Sequence, residues 1–431
     1  MKRTDVVIVG GGQAGLAMSR CLAQAGIDHV VFERGRVAER WRSERWDSLR
    51  LLTPNWQTRL PGFQYSGPDP DGYMTAGEVV SHLERYASSF EAPVEGDTSV
   101  TELSPTADGY RIVTSRGTWF ARGAVIATGY CDVPHVPRAG ASLSPRISQI
   151  VPTGYRRPDD LDEGGVLIVG ASATGIQIAD ELLRSGRAVT VAAGHHTRVP
   201  RSYRGRDIMW WLDRSGMLDA GADEVFDIDV SRRQPSFQLV GRPDHASIDL
   251  AILRAKGARV VGHLRGADGS RMWFDDDLVS TTAASDAKLA MLLKRLDDFS
   301  SAADLDREVA DPDPFEPIWP AFLEAPLTLD LAAERITSVV WATGYRRGYS
   351  WLHAPVLNRR GDIEHRGGVT SSPGLYVLGM QFQRRRNSNF IDGVGKDARY
   401  LAGEIAAHLD RAQSAIRLKR TAHGHDAPQV C

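Results

Sequence analysis

Residues 166–181 read VLIVGASATGIQIADE. An unbroken apolar run leads into small residues at Gly170, Ser172 and Gly175, and then into a stretch with helical spacing. That is the order of a buried strand, a phosphate-binding turn and the helix that follows it. The chain already opens on the same order, DVVIVGGGQAG at residues 5–15. The fold turns on whether these two units are a redundancy or two sites for two nucleotides.

In the first unit, residues 5–9 lack polar alternation, as a strand buried on both faces of a parallel sheet does. Gly10, Gly12 and Gly15 then fall in G-x-G-x-x-G spacing, with Gln13 and Ala14 between them. The spacing predicts a helix from Leu16 to Ala25, closed by Gly26. Such a loop gives a tight turn at the first glycine, backbone approach to a diphosphate at the second and close helix–strand packing at the third. The helix start adds free N–H groups and the positive end of the helix dipole. A second strand, HVVFE, ends at Glu33 with Arg34 beside it, eighteen residues after Gly15. That carboxylate is placed to accept the hydroxyls of an adenosine ribose.

The second unit repeats strand, loop (Gly170, Ala171, Ser172, Ala173, Thr174, Gly175), helix (Ile176 to Ser185) and strand AVTVAA. Eighteen residues after Gly175 stands Ala193 instead of an acid, followed by GHHTRVPR. The missing carboxylate and the nearby Arg198 and Arg201 follow the charge logic of a 2′-phosphate. The loops are therefore expected to serve different cofactors: FAD at the first, NADPH at the second, both facing one flavin ring.

Two further strands end alike, GAVIATGY at 123–130 and TSVVWATGY at 337–345. Thr128, Gly129 and Gly344 are expected where the chain passes between the two units, close to cofactor. Residues 98–126 read as an antiparallel meander about a turn at Asp108-Gly109. PGLYVLG ends a strand at Gly379, and Lys396 to Arg411 reads as a helix. In the loop between them, Gln381, Asn387, Ser388, Asn389 and Phe390 are candidates to reach the isoalloxazine ring. The basic run Arg384–Arg386 in that loop reads first as a solvated face.

The 431 residues suit two or three folding units. The hydrophobic fraction is 42%, the charged fraction 25% and the net charge −2, which is ordinary for a globular protein and gives no nucleic-acid footprint. No apolar run approaches the roughly 18 residues of a membrane span. The apolar run after MKRTD breaks into glycines too early for a signal peptide, which points to the cytoplasm. Cys21, Cys131 and Cys431 are too scattered for a disulfide framework or a redox pair. No metal set is expected; HGHD at 423–426 sits in a polar tail read as disordered.

The order GGGQAG, ATGY, GASATG, ATGY and GLYVLG resembles the class B flavin monooxygenases. Residues 39–62, ERWRSERWDSLRLLTPNWQTRLPG, resemble the matching segment of the plant enzymes that oxidise indole-pyruvate. GHHTRVPRSYRGRDIMWWLD at 194–213 resembles a bacterial subgroup of flavin-containing monooxygenases. The resemblance implies an α/β fold with two dinucleotide-binding Rossmann-type domains, the FAD domain discontinuous: 1–160 and 337–415 for FAD, 161–336 for NADPH, and 416–431 as the tail. It implies that NADPH reduces FAD and that one oxygen atom of O2 reaches a small amine, thioether or indolic substrate through a C4a-(hydro)peroxyflavin. A homodimer is compatible with it. It brings Trp41, Trp46, Asn55, Trp56 and Tyr73 near the flavin, and makes Asn55 and Asn389 the catalytic candidates.

The family's F-x-G-x-x-x-H-x-x-x-Y stretch is altered in this chain. Tyr155 fits the last position, but Val151 replaces the histidine, and Pro145 and Ile147 replace the Phe and Gly. This argues against a typical Baeyer–Villiger enzyme. A disulfide reductase lacks its cysteine pair here, whereas an oxidase or dehydrogenase that inserts no oxygen fits the same motifs, and a non-enzymatic cofactor sensor is the remaining reading. Residues 200–336 exceed a minimal nucleotide domain; within them Trp210-Trp211 reads as core before pocket, and 287–296 as an amphipathic helix.

Overall fold

The computed structural model describes residues 2–423. Two parallel sheets organise them. In the first, the strand Lys2–Val9 lies between His29–Phe32 and Gly117–Ile126, parallel to both. Leu375–Val377 extends the sheet beyond Gly117–Ile126, again in parallel. Val6, Val7 and Ile8 are fully buried because helices and the antiparallel meander cover both faces. That meander runs Val100–Thr106, Gly109–Thr114 and Gly117–Ile126, with Gly109 at positive φ in the expected turn.

The second sheet has the order Arg259–Val261, Val189–Ala192, Gly165–Val169, Ile336–Trp341, Ser148–Ile150, all parallel. Sheet membership moves the expected divisions at 160/161 and 336/337. Ser148–Ile150, assigned by sequence to the first unit, pairs with Ile336–Trp341 in the second sheet. The reason is pairing across sequence: a three-residue strand with mixed burial carries no periodic signal, and only its distant partner reveals it. The two passages between the sheets, Val133–Pro134 and Tyr345–Arg346, pair antiparallel and so form a double link.

The helix Gln13–Gln24 starts three residues earlier than expected, as Ala173–Arg184 does in the second unit. The C-terminal helix spans Ile391–His423, longer than expected at both ends, and its buried face joins the core around Gln13–Gln24. The remaining residues of the expected tail, 424–431, with Cys431 and all but the first residue of HGHD, lie outside the described residues.

Between Arg259–Val261 and Ile336–Trp341 the chain adds a three-stranded antiparallel sheet, Leu264–Asp268, Arg271–Phe274 and Thr328–Asp330. It also adds a helix, Leu278–Ala302, longer than the expected amphipathic core. Leu289, Leu293 and Leu296 of this helix face the segment 199–218, including Trp211. Each such buried leucine stabilises the pairing by about 1.5–3 kcal/mol. Trp211 is fully buried, with its indole N–H donating to the Tyr203 carbonyl at 2.8 Å, so it is core, as the sequence suggested.

Candidate active site

The two glycine loops are built alike. A Cβ on Gly15 would lie 1.8 Å from the Gly10 carbonyl oxygen, and one on Gly175 1.9 Å from that of Gly170. Each loop also rests on an ATG segment: a Cβ on Gly10 would meet the Ala127 oxygen at 2.6 Å, and one on Gly170 the Ala342 oxygen at 2.3 Å. The ATG repeats are thus the floors of the two loops. Space over Gly12 is open. Neither following helix has a side-chain cap or an acid in its first turn, so both keep unsatisfied N–H groups and an uncompensated dipole end.

A cavity of about 700 Å³ opens from the first loop. Gly10, Gly12, Gln13, Ala14, Glu33, Arg34, Trp41, Thr128, Gly129, Gly379, Asn389 and Phe390 all border it. Gly15 is packed under the loop instead, against Gly10 and Ile8. Glu33 is anchored by two backbone donors, Gly11 N–H to Oε2 at 2.6 Å and Gly35 N–H to Oε1 at 3.1 Å. A carboxylate offers about four lone-pair sites, so acceptors remain for a ribose.

Also on the cavity, Arg40 pairs with Asp132, ninety-two residues away, and with Glu44. Arg40 Nη1 is buried without a partner at this wall. Deeper in, Cys131 and Tyr130 follow Gly129; burial pushes the thiol up, and that thiol, then burial, push the phenol up. Both are neutral at pH 7. An apolar part of the lining is formed by Met209, Leu218, Leu239, Phe382 and Phe390, with Arg232, Gln234 and Arg386 also on the cavity. Met209, Leu218, Phe237 and Leu239 come from the segment between Val189–Ala192 and Arg259–Val261; their wall role needs the tertiary fold.

Asn55 does not border the cavity. Its Nδ2 donates to the Asp69 carbonyl at 2.8 Å and its Oδ1 is buried without a partner. Trp56 stacks under Arg59 on the outside, Trp46 packs in the core of the second unit, and Tyr73 donates to Asp207 at 2.6 Å. Tyr155 is likewise a packing residue, its hydroxyl donating to Glu181 at 2.9 Å.

The second nucleotide end departs most from expectation. Arg198 is buried against Asp286 at 2.6 Å and Asp249 at 3.6 Å, and it donates to the Glu316 carbonyl. Arg201 is 1% exposed, paired with Asp207 at 2.6 Å and donating to the Leu52 carbonyl. The structure thus places both as buried struts; Arg198 also borders a second cavity of about 400 Å³, but none of Gly170–Gly175 lines that cavity. Their partners come from Asp207, from the helix Leu278–Ala302 and from Asp249, which motif reading cannot link to them.

The two loops also do not open into one cavity. None of Gly170, Ser172, Ala173, Thr174, Gly175 and Gly344 lines the cavity described above. The strand Phe237–Gln238 stands between them: Phe237 and Leu239 face the cavity, while Gln238 turns to the other side and donates to the Ala171 carbonyl at 2.8 Å. Strand alternation explains the split. Gln238 is a loop contact that no motif announced.

Among the described residues no group of metal-ligating side chains is assembled, and no helix is long and apolar enough to cross a membrane. The free cysteines Cys21 and Cys131 belong to different places, the first buried in the helix Gln13–Gln24 and the second at the cavity wall.

Residues 7–209 match the family model of pyridine nucleotide-disulphide oxidoreductases. The chain is 31% identical over 407 residues to an uncharacterised CzcO-like oxidoreductase of Geobacillus kaustophilus, covering 94% of this chain and 99% of that one. It is 29% identical over 183 residues to the indole-3-pyruvate monooxygenase YUCCA1 of Arabidopsis thaliana, labelled probable, covering 41% and 44% of the two chains. In structure it is similar to a flavin-containing monooxygenase from Stenotrophomonas maltophilia, with a TM-score of 0.66, 20% identity and coverage of 95% and 100%.

Proposed function

From the premise that this chain belongs to the CzcO-like oxidoreductase family, we propose that it is an FAD- and NADPH-dependent monooxygenase acting on a small organic substrate. The observation that carries the reading is the cavity itself. It runs from a vacant-sided glycine loop and a helix start to an apolar part of the lining, which suits one long dinucleotide and one small organic molecule.

When bound, FAD supplies the redox and oxygen chemistry and NADPH the hydride. The N–H groups at Gly12–Ala14 hold the diphosphate, helped by the dipole of Gln13–Gln24. Glu33 accepts from the ribose, and Arg40 Nη1 gains the partner it lacks. Gln381, Asn389 and Phe390, which line the same cavity, would border the ring. Met209, Leu218, Leu239 and Phe382 exclude water there, which protects reactive species and strengthens every polar contact inside. The second loop, Gly170–Gly175, holds NADPH. Ser236–Leu239 stand between that loop and the first cavity, so this wall would have to shift for the two cofactors to meet.

The test is oxygen accounting. With NADPH and 18O2, a substrate panel of amines, thioethers and indoles is screened for label in product. A monooxygenase puts one labelled atom in product and lowers hydrogen peroxide per NADPH. Stoichiometric peroxide with every panel member overturns the reading in favour of an oxidase.

A further inference from the structure

Three consecutive arginines, Arg384, Arg385 and Arg386, meet three different environments. Arg384 lies over the Tyr400 ring at 3.7 Å. Arg385 pairs with the buried Asp397 at 3.2 Å. Arg386 has no ion pair among the described residues, and it borders the apolar part of the cavity lining beside Met209, Leu218, Phe382 and Phe390.

Its backbone is fixed. Arg386 N–H donates to the Ala220 carbonyl and Asn387 N–H to that of Leu218, both at 3.1 Å, so the side chain leaves a clamped turn. The guanidinium stands 5.7 Å from the Phe382 ring. Burial, then the like charge of Arg295, push its pKa down. No acid pairs with it, whereas acids neutralise Arg34 (Glu44) and Arg40 (Asp132 and Glu44) on the same cavity; Arg45 and Arg232, which also line it, carry no ion pair among the described residues either. A desolvated guanidinium beside a cation and facing an apolar part of the lining is a site for an anion, and its planar fork matches two oxygens at once.

We propose that Arg386 is the specificity-determining residue of this part of the cavity and that the substrate is a small organic carboxylate with an apolar body. The proposal rests on the monooxygenase reading above and names the substrate class for it. The shared chemistry is an oxyanion, which a nucleotide phosphate also carries. Substrate is favoured because the flavin diphosphate has its own donors at Gly12–Ala14, and the second nucleotide loop lies behind the Ser236–Leu239 wall.

The experiment uses the holoenzyme and its Arg386→Gln and Arg386→Lys variants. Arylalkanoic and branched alkanoic acids, each against its primary amide, are titrated by calorimetry. Flavin absorbance and the KM for NADPH are recorded alongside. The wild type is expected to bind its best acid about tenfold or more tighter than the amide. Arg386→Gln erases that preference, and Arg386→Lys, a point charge without the fork, keeps part of it. The proposal is overturned if no acid of the panel is preferred by the wild type, or if the preference survives in Arg386→Gln. It is overturned too if Arg386→Gln raises the KM for NADPH with acid preference intact, which assigns the site to a nucleotide phosphate. If Arg386→Gln does not fold, an undiminished preference in Arg386→Lys overturns it. Flavin absorbance before titration tests the cofactor reading separately, so the two failures are distinguishable.

Discussion

Arg198 and Arg201 follow a strand end that lacks its acid, and charge alone assigns them to a 2′-phosphate. Each instead sits in a nearly dry ion pair, and removing one partner leaves a buried charge uncompensated. Arg198→Ala is therefore expected to cost about 3–5 kcal/mol of stability, read from urea denaturation. The KM for NADPH of the surviving folded fraction should stay near the wild-type value. A selective rise in that KM with stability intact would contradict the strut role. The glycines allow a paired test. Gly15→Ala forces a methyl onto the Gly10 carbonyl and should abolish FAD retention, seen as loss of yellow colour on purification. Gly175→Ala makes the same clash against Gly170 and should leave FAD bound while NADPH no longer reduces it.

The hairpin His365–Arg366 and Val369–Thr370 carries a pH-dependent element. His365 Nδ1 accepts from Gly368 N–H at 3.2 Å. Burial, then Arg232 and Arg347, push its pKa down to about 4. The unfolded chain, with its histidine near 6.5, takes up the proton first as pH falls. Stability from this group is complete above about pH 6.5 and declines towards pH 4, by at most a few kcal/mol. His365→Gln should flatten that part of the thermal midpoint against pH. The wall Phe237–Gln238 is the other element with a testable consequence. If nicotinamide reaches the flavin past it, NADPH must alter hydrogen exchange at residues 234–240. Unchanged exchange in this segment would show that the wall does not move.

At the scale of the molecule, residues 213–222, between Val189–Ala192 and Arg259–Val261, are clasped to the C-terminal loop and helix of the first unit. Leu218, Ala220 and Ala222 exchange backbone hydrogen bonds with Asn387, Arg386 and Arg384. Lys396 pairs with Asp219 at 2.5 Å, and Arg59 spans Asp213 and Asp392. Loosening the clasp with Asp213→Ala and Asp219→Ala together should slow NADPH-driven flavin reduction by about tenfold to a hundredfold with FAD content unchanged, measured anaerobically by stopped flow. The sheet membership of Ser148–Ile150 and this clasp were not legible in sequence, because so short a strand and loop-to-loop pairings carry no period.

What the amino-acid order determined by itself is local: two strand–glycine–helix units, their ATG floors and Glu33, all set by steric rules and hydrophobic period over a few residues. Which cations are free was decided only by the tertiary structure. Arg198 found the distant Asp286 and Arg201 the nearby Asp207, while Arg386, in a run that looked solvated, was carried to an apolar part of the cavity lining without one. Charge in sequence is a count. Whether it is neutralised depends on which side chains long-range packing brings within a few ångströms, and that information exists only once the two sheets and the insertion have closed on each other.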